Sequence, residues 1–160
     1  MPPSATPGIR VLVVDDHPDV RDMMAAFLTL RGFIVDSAAD GSQAVELVRT
    51  VHPDIVLMDL SLPGVNGWEV TRILKNDAKT RAVRIIAVTA HALDREVAAA
   101  RAAGCVGVIS KPFDLDALAD ALPNVLTHGA AALQVPGLAL QRPAGRTLPF
   151  QPRAPEPPAE

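Results

Sequence analysis

The feature that most constrains the fold is a regular alternation between short apolar runs and segments with helical spacing of apolar residues. The runs predict five strands, near residues 9–14, 33–37, 54–58, 83–88 and 106–110. Helical patterns lie between these runs and after the last one. Because strands that alternate with helices form a parallel sheet covered on both faces, the chain is predicted to be an α/β protein with a five-stranded parallel sheet.

The first and last predicted helices show the helical period most clearly. The first begins at Pro18 and closes at Gly32, and its apolar residues are predicted to face the core: Val20, Met23, Met24, Phe27 and Leu28. The other helices are predicted to begin after Asp40-Gly41, near Gly67 and near Ala92, and the last to carry Leu115, Leu118, Ala119 and Leu122 on one face. We expect Pro123 to end or kink that last helix.

Composition narrows the class of protein. The 160 residues are 49% hydrophobic and 21% charged, which is enough for one domain with a core. A net charge of −3 gives no basic field for nucleic acid or an anionic membrane. Cys105, the single cysteine, is expected to be a small buried hydrophobe. Since no signal peptide or run of about 20 apolar residues is present, a cytoplasmic location is expected.

Proline becomes frequent towards the C-terminus, where no periodicity remains. We therefore predict a flexible segment over residues 1–8, a folded domain over 9–127 and a proline-rich, disordered tail over 128–160. The tail contains no pair of amphipathic helices, so a helix-turn-helix output domain is not predicted and direct DNA binding is not expected.

Polar side chains follow four of the predicted strands. Asp15 and Asp16 follow the first strand, Asp59 the third, Thr89 the fourth and Lys111 the fifth. Each has an ordinary explanation alone, such as capping of the next helix or solvation of a lysine. Ligands of open parallel sheets, however, bind at the carboxyl ends of the strands, so the five side chains together predict a site.

Three clustered carboxylates predict a bound cation. Two carboxylates about 5 Å apart repel by ~3 kcal/mol at an effective dielectric of 20. Magnesium fits best, because it takes oxygen ligands and commonly uses one or two carboxylates with a phosphate oxygen. Calcium is less favoured without an EF-hand loop, and zinc is not indicated. The histidines lack metal-ligand spacing and are interpreted as ordinary surface or loop residues: His17, His52, His91 and His128.

These motifs resemble the response-regulator receiver domain of two-component signalling. The resemblance covers residues 10–126 and consists of the acid pair after the first strand, D-L-S-L-P-G-V-N-G from Asp59, V-T-A around Thr89 and S-K-P-F around Lys111. It implies a flavodoxin-like (βα)5 three-layer sandwich with strand order 2-1-3-4-5. It also implies a switch that acts through contacts with other proteins.

The resemblance assigns a role to each acid. Asp59 would be the nucleophile that is phosphorylated by a histidine kinase or histidine phosphotransferase. Mg²⁺ would be bound by Asp15, Asp16, Asp59 and the backbone carbonyl of Ser61. Self-catalysed phosphoryl transfer to Asp59, and hydrolysis from it, would be the only chemistry.

Thr89 and Lys111 would bind the phosphoryl group after transfer. Two charge-assisted hydrogen bonds of about 1.5 to 3 kcal/mol each sum to roughly 3 to 6, comparable with the ~5.5 kcal/mol that moves an equilibrium from 1:99 to 99:1. By the same resemblance, the Lys111-Pro112 peptide is expected to be cis.

One position departs from the family pattern. Receivers usually carry Tyr or Phe three residues before the lysine, where this chain has Val108. We therefore expect phosphorylation to survive but the face formed by the fourth helix, fifth strand and fifth helix to rearrange less than usual. Ser61 and His91 occupy places that in this family influence the phosphoryl lifetime, and Trp68 is interpreted as a packing residue.

Other functions remain open. A magnesium-dependent phosphohydrolase with an aspartate nucleophile can share this strand-end geometry, but the haloacid-dehalogenase type has its nucleophile after the first strand with an acid two residues on, where this chain reads D-D-H-P from Asp15, and it usually needs a cap domain. A receiver-like adaptor without phosphoryl turnover has mild support from Val108. A dinucleotide enzyme is not favoured, because no G-x-G-x-x-G follows the first strand.

Overall fold

The computed structural model describes residues 8–62, 64, 66–90, 94–128 and 138–139. Its strands are β1 (Arg10–Val14), β2 (Ile34–Ala38), β3 (Ile55–Asp59), β4 (Arg84–Thr89), β5 (Gly107–Ser110) and β6 (Leu138–Ala139). Its helices are α1 (Pro18–Leu30), α2 (Gly41–Val51), α3 (Gly67–Asn76), α4 (Asp94–Ala103) and α5 (Leu115–His128).

Five parallel strands form the sheet in the order β2-β1-β3-β4-β5, which confirms the predicted fold class. The chain moves outward from β1 to β2 and then in the other direction through β3, β4 and β5. The order therefore reverses between β1 and β3, and open α/β sheets bind ligands at the carboxyl end of such a reversal.

The core has two parts, one on each face of the sheet. On one face, α1 and α5 pack with residues such as Leu28 and Leu122 against β1 and β3. On the other, α2, α3 and α4 pack with residues such as Val48 and Leu74. Alternate residues of one strand belong to different parts, as Leu57 and Met58 do in β3. Both faces of β3 are thus covered, which explains its continuous apolar sequence.

The structure differs from the predicted helices in two details. Met23 was expected in the core but is 52% exposed, because only Met24 and Leu28 of α1 point fully into the sheet. Of the two outcomes expected at Pro123, an end or a kink, the structure excludes the end, because α5 continues to His128. Leu122 and Val125 are both buried, and this packing holds the helix together around the missing N–H. The predicted start near Ala92 lies outside the described residues.

A sixth strand was not predicted. β6 pairs antiparallel with β5 at its open edge, with Ala139 opposite Val108 and Leu138 opposite Ile109. These two residues belong to the segment that the sequence assigned to a disordered tail, and its other described residue is His128 at the end of α5. Backbone pairing at an edge depends little on side-chain pattern, so composition alone gave no indication of it.

The start of α3 touches the end of β3. Asn66 caps α3 by accepting a 3.0 Å hydrogen bond from the N–H of Glu69. A Cβ at Gly67 would lie 2.6 Å from the backbone oxygen of Asp59 and 3.0 Å from Cα of Leu60. Only glycine allows this close approach, so α3 sets the position of the backbone at Asp59.

Cys105 is buried in the core as predicted. Its Sγ lies 3.8 Å from Oγ1 of Thr71, and burial raises the pKa of its thiol to about 11. The thiol is thus held in its neutral, unreactive form. The side chain of Trp68 is partly buried against the same face, as expected of a packing residue.

Candidate functional site

The strand ends bring the predicted polar side chains to one end of the sheet. Asp59 is the last residue of β3 and is 3% exposed, and Asp15 directly follows β1 and is also buried. The N–H of Asp15 donates to the carbonyl of Ala38 at 3.1 Å, which continues the β1-β2 ladder into the site. Val14 pairs with Met58, so the next residues along the two chain segments, Asp15 and Asp59, are neighbours.

Lys111 reaches across the sheet to both acids. Its Nζ lies 3.3 Å from Oδ2 of Asp15 and 4.0 Å from Oδ2 of Asp59. Its backbone N–H donates to the carbonyl of Thr89 at 2.7 Å, and the Lys111-Pro112 peptide is cis, as expected. An ammonium group therefore lies beside two buried carboxylates and reduces their repulsion.

The surroundings of Asp59 oppose its negative charge. Its Oδ1 accepts a 2.9 Å hydrogen bond from the N–H of Ser61. Burial raises the pKa of Asp59, and the charges of Asp15 and Asp16 add to that effect, whereas the Ser61 hydrogen bond and Lys111 oppose it. Without a further cation, the ionised form of Asp59 is destabilised.

His17 belongs to the site, and sequence reasoning missed it. Its Nδ1 lies 3.1 Å from Oδ1 of Asp15 and 3.1 Å from Oδ1 of Asp16. The hydrogen bond goes to Asp15, which also accepts from the N–H of His17 at 2.9 Å. A signal was available, because His17 directly follows the acid pair, but it was outweighed by the lack of a second histidine at metal-ligand spacing.

The donor set fits a divalent cation. Donor atoms of Asp15, Asp16, His17 and Asp59 all lie within 4.8 Å of one another. Oδ1 of Asp16 is buried and has no hydrogen-bond partner among the described residues, although His17 is near it. A buried carboxylate oxygen without a donor is costly, and a hard cation such as Mg²⁺ would satisfy it.

Thr89 is the last residue of β4, is buried, and pairs in register with Ser110, directly before Lys111. Its neighbour Val88 pairs with Asp59. The hydroxyl-bearing residue is thus within one strand position of both Asp59 and Lys111. His91, which was expected to influence the phosphoryl lifetime, lies outside the described residues, as do Pro63 and Val65 of the motif after Asp59.

Fold and site together define an α/β protein with an acidic, cation-compatible centre at the strand-order reversal. The family model of the response regulator receiver domain matches residues 11–123. The chain belongs to this family, which confirms the resemblance of its motifs.

Curated relatives agree with this membership. The chain is 36% identical to Protein PilH of Pseudomonas aeruginosa, over 73% of this chain and 97% of PilH. It is 34% identical to the polar-differentiation response regulator DivK of Brucella ovis, over 72% of this chain and 94% of DivK. It is 37% identical to the alkaline phosphatase synthesis transcriptional regulatory protein SphR of Synechococcus elongatus, but spans only 47% of SphR.

Solved structures show the same fold. The chemotaxis response regulator CheY4 of Vibrio cholerae superposes with a TM-score of 0.68 at 27% identity, over 72% of this chain and 97% of CheY4. A two-component response regulator of the LuxR family from Aurantimonas sp. SI85-9A1 gives 0.67 at 38% identity, over 74% of this chain and 84% of that one. In the part of the chain that the structure describes, no helix is long and apolar enough to span a membrane.

Proposed function

We propose that the chain is a phosphoacceptor switch that receives a phosphoryl group on Asp59 from a histidine kinase or histidine phosphotransferase. The observation that carries the proposal is the position of the Lys111 ammonium, 4.0 Å from Oδ2 of Asp59 and 3.3 Å from Oδ2 of Asp15. A buried nucleophilic carboxylate beside a fixed cation is the arrangement that phosphoryl transfer to an acid requires. Membership of the receiver family supports the same assignment.

In the proposed transfer, an oxygen of Asp59 attacks the phosphorus of a phosphohistidine. A phosphorus–oxygen bond forms, the phosphorus–nitrogen bond breaks, and the histidine leaves with the electron pair. The Ser61 N–H holds Oδ1 of Asp59 at 2.9 Å, which leaves Oδ2, on the Lys111 side, to react. Ionised Asp59 needs no separate general base.

Asp16, Asp59 and the backbone carbonyl of Ser61 would hold Mg²⁺. The bound ion supplies charge neutralisation for the incoming phosphoryl group. Asp15 completes the acid cluster, but its Oδ1 accepts from His17 and its Oδ2 from Lys111. Asp15 would therefore act mainly by attracting the ion with its negative charge and by holding Lys111 in place.

After transfer, the phosphoryl group carries close to two negative charges. Lys111 would then turn its ammonium from the acids towards the phosphoryl oxygens, and the Thr89 hydroxyl would donate to another of them. Partner proteins would read the resulting change in the β4 and β5 ends. Self-catalysed hydrolysis of the acyl phosphate would reset the switch.

One experiment tests this proposal against the alternatives. The protein is incubated with acetyl phosphate and Mg²⁺ and its intact mass is followed, with Asp59→Asn as the test variant and Asp19→Asn, an exposed acid on α1, as control. A labile gain of one phosphoryl group that is lost only in the Asp59 variant supports the switch. Turnover of free phosphate esters would select a phosphohydrolase, and no modification would select an adaptor.

The proposed partners are proteins in the cytoplasm rather than DNA or a membrane. MtrA of Mycolicibacterium smegmatis, a DNA-binding response regulator, is 40% identical over 104 residues, but this chain covers only 44% of it. The net charge of −3 provides no basic surface field for DNA. Salt-sensitive binding to a short DNA duplex in fluorescence anisotropy would contradict this part of the proposal.

A further inference from the structure

His17 lies at the edge of the acidic cluster with its ring at the surface. Its side chain is 67% exposed, yet Nδ1 is 3.1 Å from one oxygen of each of Asp15 and Asp16. Helix α1 begins at the next residue, Pro18, so the backbone at position 17 is fixed while the imidazole remains at the surface. The side chain is thus anchored beside the cation-compatible oxygens without being packed in place.

The spacing of these atoms matches that of ligands on a metal. Neighbouring ligands of an octahedral ion at about 2.1 Å lie roughly 3.0 Å apart. Both Nδ1-to-oxygen distances are 3.1 Å, and all four candidate donors lie within 4.8 Å of one another. A single ion can therefore contact Nδ1 of His17 and Oδ1 of Asp16 together after small side-chain rotations.

We propose that His17 is an additional protein ligand of the divalent ion and makes this centre prefer Mn²⁺, and other ions that bind imidazole, over Mg²⁺. The inference rests on the proposed function only in placing a divalent ion between Asp16 and Asp59. Nδ1 carries the lone pair in the neutral tautomer that is protonated on Nε2.

The chemistry of the donors sets the preference. Oxygen ligands alone suit Mg²⁺, whereas an imidazole nitrogen favours transition metals and gains strength along the first-row series. In exchange for the new bond, His17 loses its side-chain hydrogen bond to Asp15. Asp15 keeps the backbone N–H of His17 and the ammonium of Lys111, so its charge stays compensated.

Pulsed electron paramagnetic resonance of the Mn²⁺-loaded protein tests the proposal directly. We expect echo-envelope modulation from a directly coordinated ¹⁴N, replaced by the ¹⁵N pattern when histidine alone is isotopically labelled. His17→Phe, which keeps a ring but has no lone pair, abolishes the coupling. His52→Asn retains it, because His52 lies at the C-terminal end of α2, is not one of the clustered donors, and has a left-handed backbone (φ 53°) that tolerates asparagine.

Metal affinity gives a second readout. In calorimetric titrations, His17→Phe weakens Mn²⁺ binding by about tenfold or more, the scale of losing a supporting ligand, while Mg²⁺ binding changes by less than about twofold. The inference would be overturned if His17→Phe weakened the binding of Mn²⁺ and Mg²⁺ equally. It would also be overturned if the ¹⁴N coupling survived in His17→Phe.

The two proposals fail in distinguishable ways. Absence of nitrogen coupling in a protein that still binds Mn²⁺ and is still phosphorylated by acetyl phosphate with Mg²⁺ overturns the role of His17 and leaves the switch intact. Absence of both metal binding and modification of Asp59 overturns both. The labelled wild-type measurement needs no substitution, so a folding defect in the variant does not affect it.

Discussion

Asp59 illustrates what a single residue of this sequence reveals. A carboxylate that ends an apolar run is informative because its burial is costly, and the structure indeed buries it beside Lys111. The convergence of Asp15, Asp59 and Lys111 was predictable from strand ends alone. The sequence places His17 directly after the acid pair, but whether its ring turns towards the acids depends on a side-chain rotamer that no spacing rule encodes.

Neutralising Asp59 is expected to stabilise the protein when no divalent ion is present. Burial raises the pKa of the folded-state carboxyl above its ordinary value of 3.8. The contribution of this group to stability is therefore fully present below that value and is lost as pH rises through the folded-state pKa. At pH 7.5 in EDTA, Asp59→Asn should raise Tm by a few degrees.

Thermal denaturation of wild type and Asp59→Asn across pH tests whether the substitution raises Tm as expected. The gain in Tm should shrink as pH falls towards 3.8, because wild-type Asp59 then becomes neutral too. Saturating Mg²⁺ should also reduce it by stabilising the ionised wild type. A variant that is less stable than wild type at pH 7.5 in EDTA would contradict the account.

At the scale of elements, the sequence located the strands within about one residue, because the apolar runs of β1, β3 and β4 are long enough to be unambiguous. The helical period predicted less reliably which residues of a helix face the core. It placed Met23 in the core, but α1 buries a narrower stripe than the pattern implied, and Met23 instead lines a surface groove of about 360 Å³. The other groove residues are Val20, Met24, Lys111, Pro112, Phe113 and Leu115.

This groove lies beside Lys111, so a protein that delivers a phosphoryl group to Asp59 is expected to cover it. Met23→Glu should slow transfer from a phosphorylated histidine phosphotransfer domain that modifies the wild type, by about tenfold, because a charge would be desolvated there. Phosphorylation by acetyl phosphate should be unchanged.

Leu30→Glu is the matched control, since Leu30 is on the same helix, is 86% exposed and lies outside the groove. Both rates are measured by quenched-flow autoradiography. Equal slowing in the two variants, or slowing with acetyl phosphate as well, would show that the groove does not receive the donor protein.

For the whole molecule, the change in composition near residue 128 predicts a folded domain followed by a tail, because packed helices and proline-rich sequence differ strongly. It did not predict β6, which covers the open edge of β5 through backbone groups. The two-sided core followed from the alternation of elements and the strand order from the family resemblance, whereas the partner of an edge strand depends on where a distant segment comes to lie.

Removing the tail is expected to expose the β5 edge. Strand N–H groups alternate in direction, so one of the amides of Val108 and Ile109 faces β6. A protein ending at His128 should exchange that amide about tenfold faster than one ending at Gly145, measured by hydrogen-exchange NMR. The amide of Ile86 in β4 serves as the internal control. If Val108 and Ile109 each exchange at the same rate in the two proteins, β6 pairing in solution is excluded.

The valine at the usual aromatic position predicts a muted response to phosphorylation. Val108 has no aromatic ring, and its side chain is already packed in the core at 1% exposure. It therefore cannot move from solvent into a space beside Thr89 as an aromatic residue could. Beryllofluoride with Mg²⁺ should change amide exchange near Asp59 and Lys111 but by less than about threefold across α4, β5 and α5. Large protection changes on that face would refute this expectation.

The contact between Gly67 and the carbonyl of Asp59 leaves room for no side chain. Any larger residue would displace the start of α3 from the backbone at Asp59, and repacking of side chains could not relieve the overlap, because the nearest atom is a main-chain oxygen. A saturation library at this codon, selected for signalling, should return a single amino acid. Position 67 is thus expected to accept glycine alone during evolution, although its residue takes no part in the chemistry.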